Sequence, residues 1–147
     1  MHLPHSQNLP TQKLASVFSS TSATYKYYWL LAILELVEDN HLIIPKKKLF
    51  AKMISNSWYT INYFHVSFGK QDKLQHAVEH ILHFEGLTLD EKKAAIEYHL
   101  ENPKSKETIS QLMHFDKNVP HWLLSAWFPG LNKADIDKAK ELIRAVI

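Results

Sequence analysis

Apolar residues return at three- and four-residue spacing along most of this chain, the period of helices packed on a core. The densest run lies within residues 21–38. There Tyr25, Tyr28, Trp29, Ala32, Ile33, Leu36 and Val37 fall on one broad face, and Tyr27, Leu30, Leu31 and Leu34 widen it almost to the whole circumference. A helix apolar nearly all round is expected at the centre of a fold. Ser19, Ser20, Thr21 and Ser22 supply N-caps before it, and Thr11 caps a shorter helix over 11–18. Asp39, Asn40 and His41 read as a turn, and Leu42, Ile43 and Ile44 as one short strand or an extended connector.

Pro45 opens the next helix at its favoured first-turn position. Leu49, Phe50, Met53 and Ile54 form the buried stripe, which leaves Lys46, Lys47, Lys48 and Lys52 mostly outside. The aromatic block that follows continues the helix to residue 64, and Gly69 ends the block. A helix over 71–84 turns Leu74, Ala77, Val78, Ile81 and Leu82 inward. Thr88 and Glu91 have the spacing of a capping box, predicting a helix to residue 101. Pro103 begins a short helix to residue 113, and Asn118 to Pro120 breaks the chain. A short buried helix over 120–128 stops at Pro129 and Gly130. Asn132 caps a last amphipathic helix carrying Ile136, Ala139, Leu142, Ile143 and Val146.

These segments predict an all-α fold, a compact single domain of about seven helices with at most one short strand. Residues 1–10 read as an extended lead-in and 11–147 as the helical domain. The 147 residues are enough for one domain with a real core. Cysteine is absent, which excludes disulfides and thiolate metal sites and suits a cytoplasmic protein. The longest apolar stretch, from Trp29 to Leu34, is far short of a membrane span, and no secretory signal is visible in 1–10.

The net charge of +2 is unevenly placed, +4 over residues 1–71 and −2 over 72–147. From Asn40 to Gln71 there are five lysines and no acid. Lys46, Lys47, Lys48, Lys52 and Lys70 are therefore the candidate contacts to DNA phosphates. A solvated basic face is the plainer alternative. Three cations at the positive end of a helix dipole depart from local preference, which marks them for attention. Arg144 is the only arginine beside sixteen lysines. Base-specific readout by bidentate Arg is accordingly not expected, while non-specific phosphate contact stays open.

His76, His80 and His83 share one helix face at i, i+4 and i+7 spacing suited to Zn²⁺ or Ni²⁺. That face lies opposite Leu74, Val78 and Ile81, so an exposed row without supporting partners is the preferred reading. His114, Asn118 and His121 echo the letters of a His-Asn-His nuclease, yet the helical pattern offers no hairpin to hold them. Aromatics at 25–29 and Trp58, Tyr59, Tyr63 and Phe64 read as core packing before base stacking. The chain carries no P-loop, nucleophile elbow, dinucleotide glycine pattern or zinc-protease motif. No catalytic residue and no cofactor is assigned.

Taken in series, residues 14–18, 21–34, 44–54, 57–64, 67–72 and 119–127 resemble the N-terminal region of bacterial HNH-endonuclease-domain proteins of the Bacteroidetes type. The order and spacing agree over residues 9–130. The family's Asp-His and Asn-rich nuclease elements are not among these residues. At 121–127 the chain reads His-Trp-Leu-Leu-Ser-Ala-Trp where the family carries an Arg-Phe-Leu-Ser-Pro-Trp-like stretch. Loss of that Arg removes a cation that a polyanion contact there would use. The resemblance implies a non-catalytic helical N-terminal domain of an HNH nuclease. Its expected partners are DNA held non-specifically, a nuclease module, or a second copy docked through a patch such as Trp122, Trp127 and Phe128. A small metal-dependent enzyme built on the histidine row is the remaining alternative.

Overall fold

The computed structural model describes residues 11–19, 24–41, 43–69, 72–124 and 130, with backbone alone for 117–124. Among these residues the fold is all-α: α1 (Thr11–Val17), α2 (Tyr25–Glu38), α3 (Lys46–Trp58), a π-helical turn (Tyr59–Tyr63), α4 (Lys73–Glu85), α5 (Lys93–Glu101) and α6 (Lys106–Leu124). No strand occurs among them; Ile43 and Ile44 form an extended connector. No helix among them is long and apolar enough to cross a membrane. The chain divides into two compact units, residues 22–116 in one and residues 1–21 with 117–147 in the other. The predicted lead-in over 1–10 and the predicted last helix from Asn132 lie outside the described residues.

In the unit of residues 22–116 the centre is α3, not the more apolar α2. Helix α3 packs against α2, α5 and α4. Its positions Leu49, Phe50, Ala51, Met53, Ile54, Ser55, Ser57 and Trp58 are all buried. Ala51 and Ser55, four residues apart, are small enough for neighbouring helices to approach closely. The buried hydroxyls cost little, because Ser55 donates to Lys52 O and to Glu97, and Ser57 donates to Ile54 O. Trp29 of α2 meets Phe50 of α3 at 5.5 Å between ring centroids, and Phe50 meets Phe115 of α6 at 6.1 Å.

Local chemistry sets the helix ends. Helix α2 stops in a left-handed residue, Asn40 (φ 62°), with Asn40 N donating to Val37 O and His41 N to Leu36 O. That pairing is the Schellman closure, and Asn tolerates the left-handed conformation better than most residues with a Cβ. Gly86 (φ 66°) closes α4 in the same way, with Leu87 N donating to Leu82 O. Asp72 caps α4 by accepting from Leu74 N at 2.9 Å and Gln75 N at 3.0 Å, and it also accepts from Thr24 N at 3.2 Å. One buried carboxylate thus ties the start of α2 to the start of α4.

Three expected boundaries move. Thr88 and Glu91 do face each other, but across a turn, and α5 begins at Lys93. Two side chains at the end of α3 hold that turn: buried Trp58 donates from Nε1 to Thr88 O, and the exposed Tyr59 hydroxyl donates to Glu91 O. Helix α6 starts at Lys106 with Ser105 Oγ accepting from Thr108 N, and it continues through Pro120 to Leu124. Proline withholds one intrahelical N–H. The helix nevertheless runs on past it, so no break falls at 118–120. Beyond Trp58 the chain stays helical to Tyr63 but widens into a π turn, with Phe64 N donating to Tyr59 O.

Candidate interaction surface

Helix α2 buries a narrow stripe, Trp29, Ala32 and Leu36. The opposite side carries Tyr27, Leu31, Leu34 and Val37, which are 41, 42, 52 and 53% exposed. At i, i+4, i+7 and i+10 these four line up as one strip, with half-buried Leu30 between them. Such a strip is the signature of an amphipathic contact surface turned outward. Polar groups stand at both ends, Lys26 at the amino end and Glu38 with Asp39 at the carboxyl end. Ile43, 88% exposed, follows in the connector to α3.

The inner side of α2 is fixed by more than apolar packing. Glu35 accepts from Asn56 Nδ2 at 2.9 Å and pairs with Lys93 at 3.3 Å. Lys52 lies 3.4 Å from Glu97 and 3.9 Å from Glu35, and Ser55 Oγ donates to Glu97 at 2.7 Å. This network spans α2, α3 and α5 and sets the rotation of α2 about its axis. Burial, followed by the negative charge of Asp72, pushes the Tyr25 hydroxyl above its ordinary pKa. Tyr25 is thus partly buried near Asp72, on the same side of α2 as Trp29, Ala32 and Leu36 and away from the strip.

The lysines singled out in the sequence do not form one open patch. Lys46 pairs with Asp116 at 2.5 Å, Lys48 Nζ lies 2.8 Å from His41 Nε2, and Lys52 belongs to the network beneath α2. Lys47 is exposed. Lys70 lies outside the described residues. Lys46, Lys47 and Lys48 are nevertheless the first three residues of α3, which opens at Pro45 with no side-chain cap and no acid in its first turn.

His76, His80 and His83 are exposed on α4, with the rings of His76 and His80 6.3 Å apart. Among the described residues no three His, Cys, Asp or Glu side chains gather as a metal-holding group. His114 is exposed on α6, and Asn118 and His121 follow on the same helix with no hairpin between them. Of the expected apolar patch, Trp122 lies in α6 with its side chain undescribed, and Trp127 and Phe128 lie outside the described residues.

The aromatic block departs from its core reading. Trp58 is buried, whereas Tyr59, Tyr63 and Phe64 are exposed and stack edge to face, 6.4 and 5.0 Å apart. The physical reason is the π turn: its extra residue per turn shifts the helical phase, so that Ile61 and Asn62 face inward and the neighbouring aromatics face out. The strip on α2 carried one signal in the sequence, an apolar circumference too wide for a single helix of this size to bury against a few neighbours. No family model, no curated protein and no solved structure matches this chain.

Proposed function

We propose that this chain is a non-catalytic helical domain that docks an amphipathic helix of a protein partner along the outward strip of α2. The observation that carries the reading is the exposure of Tyr27, Leu31, Leu34 and Val37 as one line on a helix whose other side is locked into the core. A ridge of this kind is complemented by another helix at an interaxial distance of about 8–10 Å. Fourteen residues give α2 a length of about 21 Å. The fitting partner therefore presents about four turns of apolar stripe, acidic where it meets Lys26 and basic where it meets Glu38 and Asp39.

The test is the availability of the strip itself. An apolar fluorescent dye added to about 1 μM protein, far below the concentrations at which small interfaces assemble, should brighten on the wild-type chain. The double variant Leu31→Ser, Leu34→Ser should lose most of that signal with its helical circular dichroism unchanged. Undiminished dye binding by the folded double variant sinks the reading.

The opening of α3 favours a second reading, non-specific contact with DNA phosphates. Three successive cations sit there with uncapped backbone N–H groups, a combination attractive to anions. Lys47 is the outermost of the three, and Lys46 and Lys48 would have to leave Asp116 and His41. Duplex binding followed by fluorescence anisotropy should weaken steeply with salt and show little sequence preference. Replacing Lys46, Lys47 and Lys48 with Glu should abolish it, and unchanged affinity in that variant rejects this second reading. In the HNH-nuclease setting that the ordered motifs suggest, the strip would join the domain to its nuclease partner and the lysines would hold the target strand.

A further inference from the structure

We infer that the helix which α2 docks is α2 of a second copy, running antiparallel to the first. The inference rests on the docking reading of the strip and names its occupant. The chemistry required of the partner is an apolar stripe of the same length, acidic at one end and basic at the other. Helix α2 meets that specification when it is reversed. A two-fold axis midway between Leu31 and Leu34 places Leu31 against the partner's Leu34 and Leu34 against the partner's Leu31. The amino end of each helix, with Lys26, then lies beside the carboxyl end of the other, with Glu38 and Asp39. The helix dipoles oppose each other in that sense as well, which favours antiparallel pairing. A parallel pair would instead set Glu38 beside the partner's Glu38.

The strip is small. Four partly exposed side chains cover less than the about 800 Å² that each partner buries in a stable complex. Self-association is therefore concentration-dependent and reversible, and charged substitutions at its edge carry weight in it.

Analytical ultracentrifugation of the full chain from about 10 μM to about 1 mM tests the inference over the range expected for so small an interface. The weight-average mass should climb from 17.1 kDa toward twice that value. Leu34→Glu, at a solvent-facing position, should raise the dissociation constant at least tenfold while thermal melting shows a folded chain. Glu38→Lys alone should weaken association severalfold, and the charge exchange Lys26→Glu, Glu38→Lys should restore it. A mass of 17.1 kDa throughout overturns the inference. So does a dimer indifferent to Leu34→Glu, and so does a dimer strengthened by Glu38→Lys alone, which is the signature of parallel pairing. Dye binding by a strictly monomeric wild-type chain, lost in the double serine variant, removes the second copy and leaves the docking reading standing, whereas a wild-type chain that fails to brighten the dye removes both.

Discussion

Glu85 is a carboxylate whose ionisation the fold uses. It sits at the end of α4, largely buried, and accepts from Lys104 N and Ser105 N at 3.3 Å each, just ahead of α6. Burial alone would push its carboxyl pKa up. The hydrogen bond from Thr108, the two backbone N–H groups and the nearby His99 outweigh burial and hold it below the usual Glu value. A carboxyl whose folded pKa lies below its unfolded pKa binds fewer protons when folded. Its contribution is complete above the ordinary Glu pKa and is lost as pH falls through the depressed folded value. Denaturant midpoints measured from neutral pH into the acid range should show this decline. Glu85→Gln should be less stable at neutral pH by about 1–3 kcal/mol and should show a flatter acid limb. An acid limb unchanged in that variant would exclude Glu85 as its source. Asp72 likewise joins elements, linking α2 to α4 by accepting from three backbone N–H groups.

At the scale of elements, α2 and α3 exchange the roles that their compositions suggest. Helix α2 is the more apolar and lies at the side; α3 contains Ser55, Asn56 and Ser57 and lies at the centre. Small size decides this as much as apolarity does, because Ala51 and Ser55 let α2 and α5 approach α3 closely while larger side chains would hold them off. The consequence is a sharp contrast between two leucines two positions apart. Leu36 is 1% exposed, so Leu36→Ala should cost about 2–5 kcal/mol in chemical denaturation. Leu34→Ala on the outward strip should change stability by no more than about 0.5 kcal/mol. Similar losses at both positions would mean that the strip is covered in the free chain. The π turn after α3 shows the same dependence on context: Tyr59 is held by its hydroxyl on Glu91 O rather than by burial of its ring.

For the molecule as a whole, self-association through α2 should couple stability to concentration. A folded state that dimerises while the unfolded state does not gains stability by mass action, so the melting temperature should rise with protein concentration in the wild type and stay level in Leu34→Glu. A melting temperature independent of concentration in both would speak against the second copy. Charge also acts at this scale. The run from Asn40 to Gln71 holds five lysines and no acid, yet two of the five are drawn toward acids far along the chain, Lys46 to Asp116 and Lys52 to Glu97. Local sequence charge therefore overstated the open basic surface.

What the sequence determined by itself was the all-α class, the turn at Asn40, the outward histidine row on α4 and the core-facing residues of α3 and α4. Each follows from the period of apolar residues or from chemistry within one turn of the chain, interactions that need no distant partner. Tertiary structure decided the rest: which helix is central, which side of α2 faces out, where α5 begins, that α6 passes through Pro120, and which lysines are paired. These depend on contacts between residues tens of positions apart, such as Trp58 with Thr88 and Glu35 with Lys93. No periodicity along the chain encodes such distances. An apolar helix face reads the same in sequence whether it meets a core or a partner, and only the packing of α3 against the inner side of α2 separates the two.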